Sequence, residues 1–355
     1  MTYRSMPSSF EVLARSAARP VSEIDVEEAL AIVREQIALL DLDLTGLTVV
    51  VGAATGYRAI AATAAALANA GRVIALTRDS QRRPGVPTAG YATLAFAKYA
   101  KVSDRVEVTN RIDSRNWQNV DLLANCLQIG PISRSLAELL PSRAVISLMA
   151  EPWELRPGVV DFEGCDDAGI KVVAPNLGHP AISVLADFAR LCCVLLDDAG
   201  IDQRGAEIAV VSDTPCGPVI EHSLRERRAR VSMFAHPSIM TGNKWDVIVA
   251  AMRPSDKPAM DINCLGRISE NSRNALLVQF SGEIDRSAAH YFGLRVWPPK
   301  RPARGQLGLP LEALGAAPTI RKLMGGLKAA EAAYRGAELG RDSVGFIVKA
   351  GKADR

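Results

Sequence analysis

The residues best suited to chemistry lie in the stretch Val51-Gly52-Ala-Ala-Thr55-Gly56-Tyr57-Arg58-Ala-Ile60. It follows Leu47-Thr-Val-Val-Val51, a β-branched run of the kind a buried parallel strand needs. It precedes an alanine-rich stretch, Ile60 to Ala70, that reads as a helix. A turn of such small residues lets the backbone approach a pyrophosphate closely, and the helix behind it offers unpaired N–H groups. Glycine in such a turn also has a purely structural use, the close packing of helix on strand.

The next strand, Arg72-Val-Ile-Ala-Leu-Thr77, runs into Arg78-Asp79-Ser80, with Arg82 and Arg83 close behind. In a dinucleotide-binding unit this position meets the adenosine ribose. An acid there bonds the ribose diol, and an arginine accommodates a 2′-phosphate. The arginines, with Arg58, favour NADP(H), whereas Asp79 suits the diol of NAD(H). The candidate cofactor residues are Gly52, Thr55, Gly56, Tyr57, Arg58, Thr77, Arg78 and Asp79.

Open α/β sheets bind ligands beyond the carboxyl ends of their strands, so acid–base groups are sought in those loops. His179, in Asn176-Leu-Gly-His179-Pro180, follows one strand-like run, and His236 follows another that ends at Phe234. Asp213 stands in the turn after Val211. Histidine titrates near neutrality, which suits proton transfer, although a loop histidine bonded to backbone is just as ordinary. His222 and His290 read as structural. Glu151 and Glu154 close one strand-like run, and Glu283 and Asp285 another. Acids at strand ends more often cap helices than do acid–base work. Lys244, Arg253 and Lys257 are candidates for holding a carboxylate. The four histidines are scattered and form no H-x-x-x-H pair, so no metal site is expected.

A regular frame has to position these loops. Residues 1–45 read as a helical lead-in, with Asp25 capping a helix that carries Val26, Leu30, Val33, Ile37 and Leu40. Strands alternate with helices from 46 to 178, with further strand-like runs at Val106–Val108, Val120–Asn125, Ala144–Met149 and Ile170–Val173. This is the pattern of a Rossmann-like dinucleotide-binding domain. A helix within 179–199 links it to a second α/β domain over 200–317, expected to take the substrate. Strand-like runs there are Glu207–Val211, Ala229–Phe234, Trp245–Ala250, Ala275–Phe280 and Leu294–Trp297. A helix and tail over 318–355 complete the chain. The fold class expected is α/β, with two Rossmann-like parallel-sheet domains joined by a long helix.

Composition narrows the function classes. At roughly 150 residues per domain, 355 residues suggest two domains. Lys and Arg total 42 against 39 Asp and Glu, and aromatic residues are 5%, which argues against a nucleic-acid partner. Six cysteines without a C-x-x-C pair are neither a disulfide framework nor a zinc site. No stretch reads as a secretory signal or a membrane span, since 181–196 is short and interrupted by Asp187 and Arg190. The expected setting is the cytoplasm, the expected partner a small-molecule substrate, and the expected assembly a homodimer by base rate.

Two spacings carry a resemblance. Gly52-x-x-x-Gly56 is similar to the start of the short-chain dehydrogenase fingerprint, but the third glycine falls at Arg58 and no tyrosine has a lysine four residues on. The runs Asp121–Pro131, Ala144–Ala150 and Gly169–Val173 resemble the back half of a dehydrogenase cofactor domain. In layout the chain resembles the formate/glycerate and D-2-hydroxyacid dehydrogenase group, a layout shared by S-adenosylhomocysteine hydrolases. The resemblance implies that the loop from Asn125 to Gly130 passes the nicotinamide ribose, adding Asn125 to the cofactor set. That group places its glycine-rich unit in the second domain with an Arg, Glu and His set behind it. Here the better glycine turn comes first, and no such set maps onto the sequence.

The leading expectation is an NAD(P)-dependent oxidoreductase acting on a small molecule in an interdomain cleft, with NADP or NAD as cofactor. The alternatives are an S-adenosylmethionine-dependent transferase on a Rossmann-like fold and a non-catalytic nucleotide-binding protein.

Overall fold

The computed structural model describes residues 24–77, 86–124, 129–240, 244–340 and 342–349. Two compact units emerge. The larger takes its described residues from 17–152, 158–184 and 315–355, and the smaller from 153–157 and 185–314.

The larger unit opens with α1 (Val26–Leu40). Asp25 caps it by accepting from the Glu28 N–H at 2.9 Å, and Glu27 and Glu28 lie in its first turn, where a helix favours negative charge. Ala29, Leu30, Val33 and Leu40 form its buried face. The sheet strands are β1 (Thr48–Gly52), β2 (Arg72–Leu76), β3 (Val106–Thr109), β4 (Leu122–Ala124), β5 (Val145–Ser147) and β6 (Lys171–Pro175). Around them pack α2 (Ala61–Leu67), α3 (Val86–Tyr99), α4 (Ser114–Trp117), α5 (Arg134–Ala137) and α6 (Phe162–Asp167). All pairings among these strands are parallel, in the order 3-2-1-4-5-6, which is the doubly wound dinucleotide-fold order. Residues Val49 to Gly52 and Val73 to Leu76 are buried throughout, as strands covered on both faces must be.

A long helix, α7 (Val184–Asp198), leads into the smaller unit. There β7 (Glu207–Val211), α8 (Cys216–Glu226), β8 (Arg230–Phe234), β9 (Val247–Ala251), α9 (Ile262–Asn271), β10 (Leu276–Ser281), α10 (Arg286–Tyr291) and β11 (Arg295–Trp297) build a parallel sheet. Its order, β8-β7-β9-β10-β11, is the 2-1-3-4-5 arrangement of the other common doubly wound fold.

The chain then returns to the larger unit as α11 (Ala316–Tyr334) and β12 (Gly345–Ile347). Gly325 and Gly326 let α11 lie close on the sheet. A Cβ at Gly326 would collide with the Met149 sulfur, and one at Gly325 with Ile182. The Ser147 hydroxyl donates to the Gly326 carbonyl at 2.8 Å across this contact. β12 pairs antiparallel with β6, making it the seventh strand of the sheet.

The expected elements recur with altered lengths. The helix foreseen from Ile60 to Ala70 is the shorter Ala61–Leu67. The C-terminal strand had no counterpart among the expected elements.

Candidate functional site

In the larger unit β1 lies between β2 and β4, with Gly52 opposite Leu76 and Val51 opposite Ala124. The chain proceeds to one side of β1 first and to the other afterwards. The carboxyl end of β1 is therefore the switch point at which open α/β sheets hold their ligands. The turn from Gly52 to Gly56 sits on it.

The turn is tied down on the sheet side and open on the other. The Ala53 N–H donates to the Leu76 carbonyl at 2.9 Å, and the Ala54 N–H reaches the buried Thr93 hydroxyl at 3.4 Å. Beyond these, the N–H groups of Thr55 and Gly56 have no acceptor among the described residues. Gly56 has φ +63°, a conformation that side-chain-bearing residues adopt at a cost, and a Cβ placed on it would meet nothing within 4 Å. The backbone of the turn thus keeps two donors uncommitted among the described residues. Tyr57 and Arg58 follow, both half-buried.

A helix N-terminus was expected directly behind this turn. The structure instead has one 3₁₀ turn, Gly56–Ile60, and α2 begins only at Ala61. The favourable field of a long helix is correspondingly reduced, and the donors of the turn itself carry more of any anion binding.

Thr77 ends the neighbouring strand. Its N–H donates to the Thr109 carbonyl at 2.8 Å, while its hydroxyl, in a residue only 1% exposed, has no hydrogen-bond partner among the described residues. An unpaired buried hydroxyl costs about 1–3 kcal/mol, which a ligand hydroxyl would recover. Gly52, Thr55, Gly56, Tyr57, Arg58 and Thr77 thus gather at the ends of β1 and β2. Arg78, Asp79 and Asn125, the rest of the expected cofactor set, lie outside the described residues.

The acid–base candidates are differently placed. His179 belongs to the larger unit, beyond β6. Its Nδ1 accepts from the Ala181 N–H at 3.2 Å, and its carbonyl accepts from the N–H groups of Ile182 and Ser183. The loop that carries it is anchored by Glu151, whose buried carboxylate accepts from the Leu177 N–H at 2.7 Å. Asp213 and His236 belong to the smaller unit. Each stands two residues beyond the Val211–Phe234 pair at the carboxyl ends of β7 and β8, with no hydrogen bond joining them among the described residues. His236 caps a short 3₁₀ turn through its Nδ1, 2.7 Å from the Ser238 hydroxyl. Asp213 accepts from the Arg253 N–H at 2.9 Å, which gives both residues a partner.

The other strand-end acids are structural. Asp285 caps α10 by accepting from Ser287 and Ala288, and the buried Glu283 accepts from Arg301 at 2.8 Å. Arg286 donates to the Gln279 side-chain carbonyl and the Pro298 carbonyl, and burial, with Arg301 nearby, lowers its pKa. Among the described residues no group of three or more His, Cys, Asp or Glu is arranged to hold a metal ion. Among the same residues no helix is long and apolar enough to cross a membrane.

The turn was visible in the sequence through its small residues. The orphaned Thr77 hydroxyl and the anchoring by Glu151 were not, because both depend on strands distant in the chain.

No protein-family model matches the sequence, and no curated protein matches it. Solved structures do match the fold. The A chain of dipicolinate synthase from Bacillus subtilis is 11% identical with a TM-score of 0.53, over 84% of this chain and 100% of that one. The pyruvate reductase of Chlamydomonas reinhardtii is 12% identical with a TM-score of 0.50, over 84% and 99%. An NAD-dependent formate dehydrogenase from Staphylococcus aureus, in complex with NAD, is 10% identical with a TM-score of 0.47, over 86% and 99%. With the dipicolinate synthase A chain and the pyruvate reductase the chain shares its fold, two doubly wound α/β units.

Proposed function

We propose that the chain is an NAD(P)-dependent oxidoreductase acting on a small molecule, with the dinucleotide held at the Gly52–Gly56 turn. The observation that carries this reading is the turn at the β1 switch point, where the N–H groups of Thr55 and Gly56 have no acceptor among the described residues. The orphaned Thr77 hydroxyl fits a ribose hydroxyl at the end of β2. The likeness to a reductase of the same fold supports the reaction class.

In this reading the backbone of Thr55 and Gly56 binds the pyrophosphate, and Thr77 the adenosine ribose. Arg58 and Arg78 favour a 2′-phosphate, hence NADP(H), and Asp79 serves the diol when NAD(H) binds. Asn125 orients the nicotinamide ribose. Bound there, the nicotinamide supplies hydride transfer. His179 is the acid–base group of the larger unit: Nδ1 is engaged by the Ala181 N–H, which leaves Nε2 to exchange a proton. His236 is the corresponding candidate of the smaller unit. Asp213, spent on Arg253, acts by holding that arginine.

The setting proposed is a reducing cytoplasm, consistent with five described cysteines that are all free and buried. The proposed assembly is a homodimer, which light scattering tests.

The test of the function is a titration with NADPH, NADH and S-adenosylmethionine, repeated on Gly56→Val. Binding of NADPH or NADH that Gly56→Val abolishes supports the reading. Binding of S-adenosylmethionine alone overturns it in favour of a transferase.

A further inference from the structure

The smaller unit has its own switch point, and its chemistry is the reverse of the first. β7 lies between β8 and β9, and the turn Ser212–Gly217 leads from its carboxyl end into α8. By the rule for open sheets a nucleotide phosphate belongs there as readily as at Gly52–Gly56. The packing of such a turn is present: a Cβ on Gly217 would come within 2.8 Å of the Ser212 Cβ and 3.0 Å of its hydroxyl. Only glycine lets the helix sit this close to the strand.

The donors, however, are spent. The Ser212 N–H donates to the Phe234 carbonyl at 2.9 Å, and the Thr214 N–H to the Ser212 hydroxyl at 3.2 Å. The Cys216 N–H donates to the Thr214 hydroxyl at 3.3 Å, and the Gly217 N–H to the Thr214 carbonyl at 3.2 Å. Pro215 and Pro218 have no N–H to give. From 212 to 218 that leaves one backbone donor, on Asp213, whose carboxylate is itself engaged by Arg253, at 2.9 Å from its N–H and 3.7 Å from its guanidinium. The two hydroxyls close the switch point from the other side. Ser212 donates to the Ala251 carbonyl at 2.8 Å, and Thr214 lies 3.3 Å from the same oxygen, so the turn is bridged to the end of β9.

We infer that the Ser212–Gly217 turn is a self-capped structural turn closed to pyrophosphate, so that a dinucleotide is received only at Gly52–Gly56. The first half rests on the smaller unit alone, and the second on the function proposed above. The disagreement with the general placement rule has a local cause: hydroxyls and prolines occupy the positions where free N–H groups would be needed.

Hydrogen exchange of the full chain tests both halves, with NADPH, NADH and inorganic pyrophosphate as separate probes. The expected result is slowed exchange at the amides of 53–61 and unchanged exchange at those of 212–220. Protection at 212–220 overturns the inference. Protection at neither turn with all three probes at saturating concentration overturns the Gly52–Gly56 reading and leaves the closure of the second turn standing.

Discussion

The Tyr334 hydroxyl donates to the Asp121 carboxylate at 2.8 Å, which pins the last turn of α11 to the residue just before β4. The same carboxylate accepts from Arg143 at 3.1 Å and from the Thr48 N–H at 2.9 Å, so one buried acid joins β1, β4 and the C-terminal helix. Tyr334→Phe removes one of three partners and is expected to cost about 1 kcal/mol, read as a lowered midpoint in urea.

Tyr334 also gives a pH signature. Burial, and then the bond to Asp121, raise its pKa above the ordinary value of 10.0. A phenol whose folded pKa is raised contributes stability that is fully present below pH 10 and lost as pH climbs through the folded value. The parent is therefore expected to lose stability more steeply than Tyr334→Phe above pH 10. Parallel curves from alkaline denaturation would contradict this.

Gly326→Ala forces a methyl group against the Met149 sulfur and within 3.2 Å of the Met149 Cα and the Ser147 hydroxyl. Overpacking of this kind costs about 1–3 kcal/mol, against a gain of about 1 kcal/mol from replacing a helical glycine. The expectation is net destabilisation, partly relieved when Met149→Ala is combined with it. Additive effects in that double-mutant cycle would show that the two positions do not meet.

Gly56→Ala separates conformation from space. With no atom within 4 Å of its new Cβ, the only penalty is a side chain at φ +63°, about 1–2 kcal/mol. Gly56→Asn is expected to cost less, since asparagine tolerates this region. Thermal melts that rank Ala as milder than Asn would refute a conformational origin.

The described thiols are expected to be inert in the folded protein. Burial pushes Cys165 and Cys264 up to about 11 and Cys192 well above its ordinary value, so almost no thiolate is present near neutrality. In a Cys126→Ser background a disulfide reagent at pH 8 is expected to label nothing rapidly, then five thiols on unfolding. Rapid labelling of any one before unfolding would show that its site opens.

Much of the frame is legible in the sequence because it is written in local periodicity. Val49 to Val51 are buried on both faces and appear as an uninterrupted β-branched run. Asp25 caps α1 with the spacing that capping requires. β12 is not legible, since Gly345-Phe-Ile347 becomes a strand only by pairing with Val173 to Pro175, and Gly345 is required there by the crowding of Ala329. The site divides in the same way. A run of small residues marks the Gly52–Gly56 turn, whereas the fates of His179, His236 and Asp213 are fixed by the Ala181 N–H, Ser238 and Arg253, and nothing in the histidines or the aspartate signals it.

The return of α11 and β12 to the larger sheet has a consequence for biosynthesis. That sheet begins with β1 near residue 48, yet its seventh strand leaves the ribosome only after residue 345. Apart from residues 153–157, the described part of the smaller unit is contiguous from 185 to 314 and can complete its core during translation. The larger unit must wait through that interval with the sheet surface around Met149 and Ser147 uncovered. Nascent chains stalled before residue 316 are the form in which this protein would most need a chaperone.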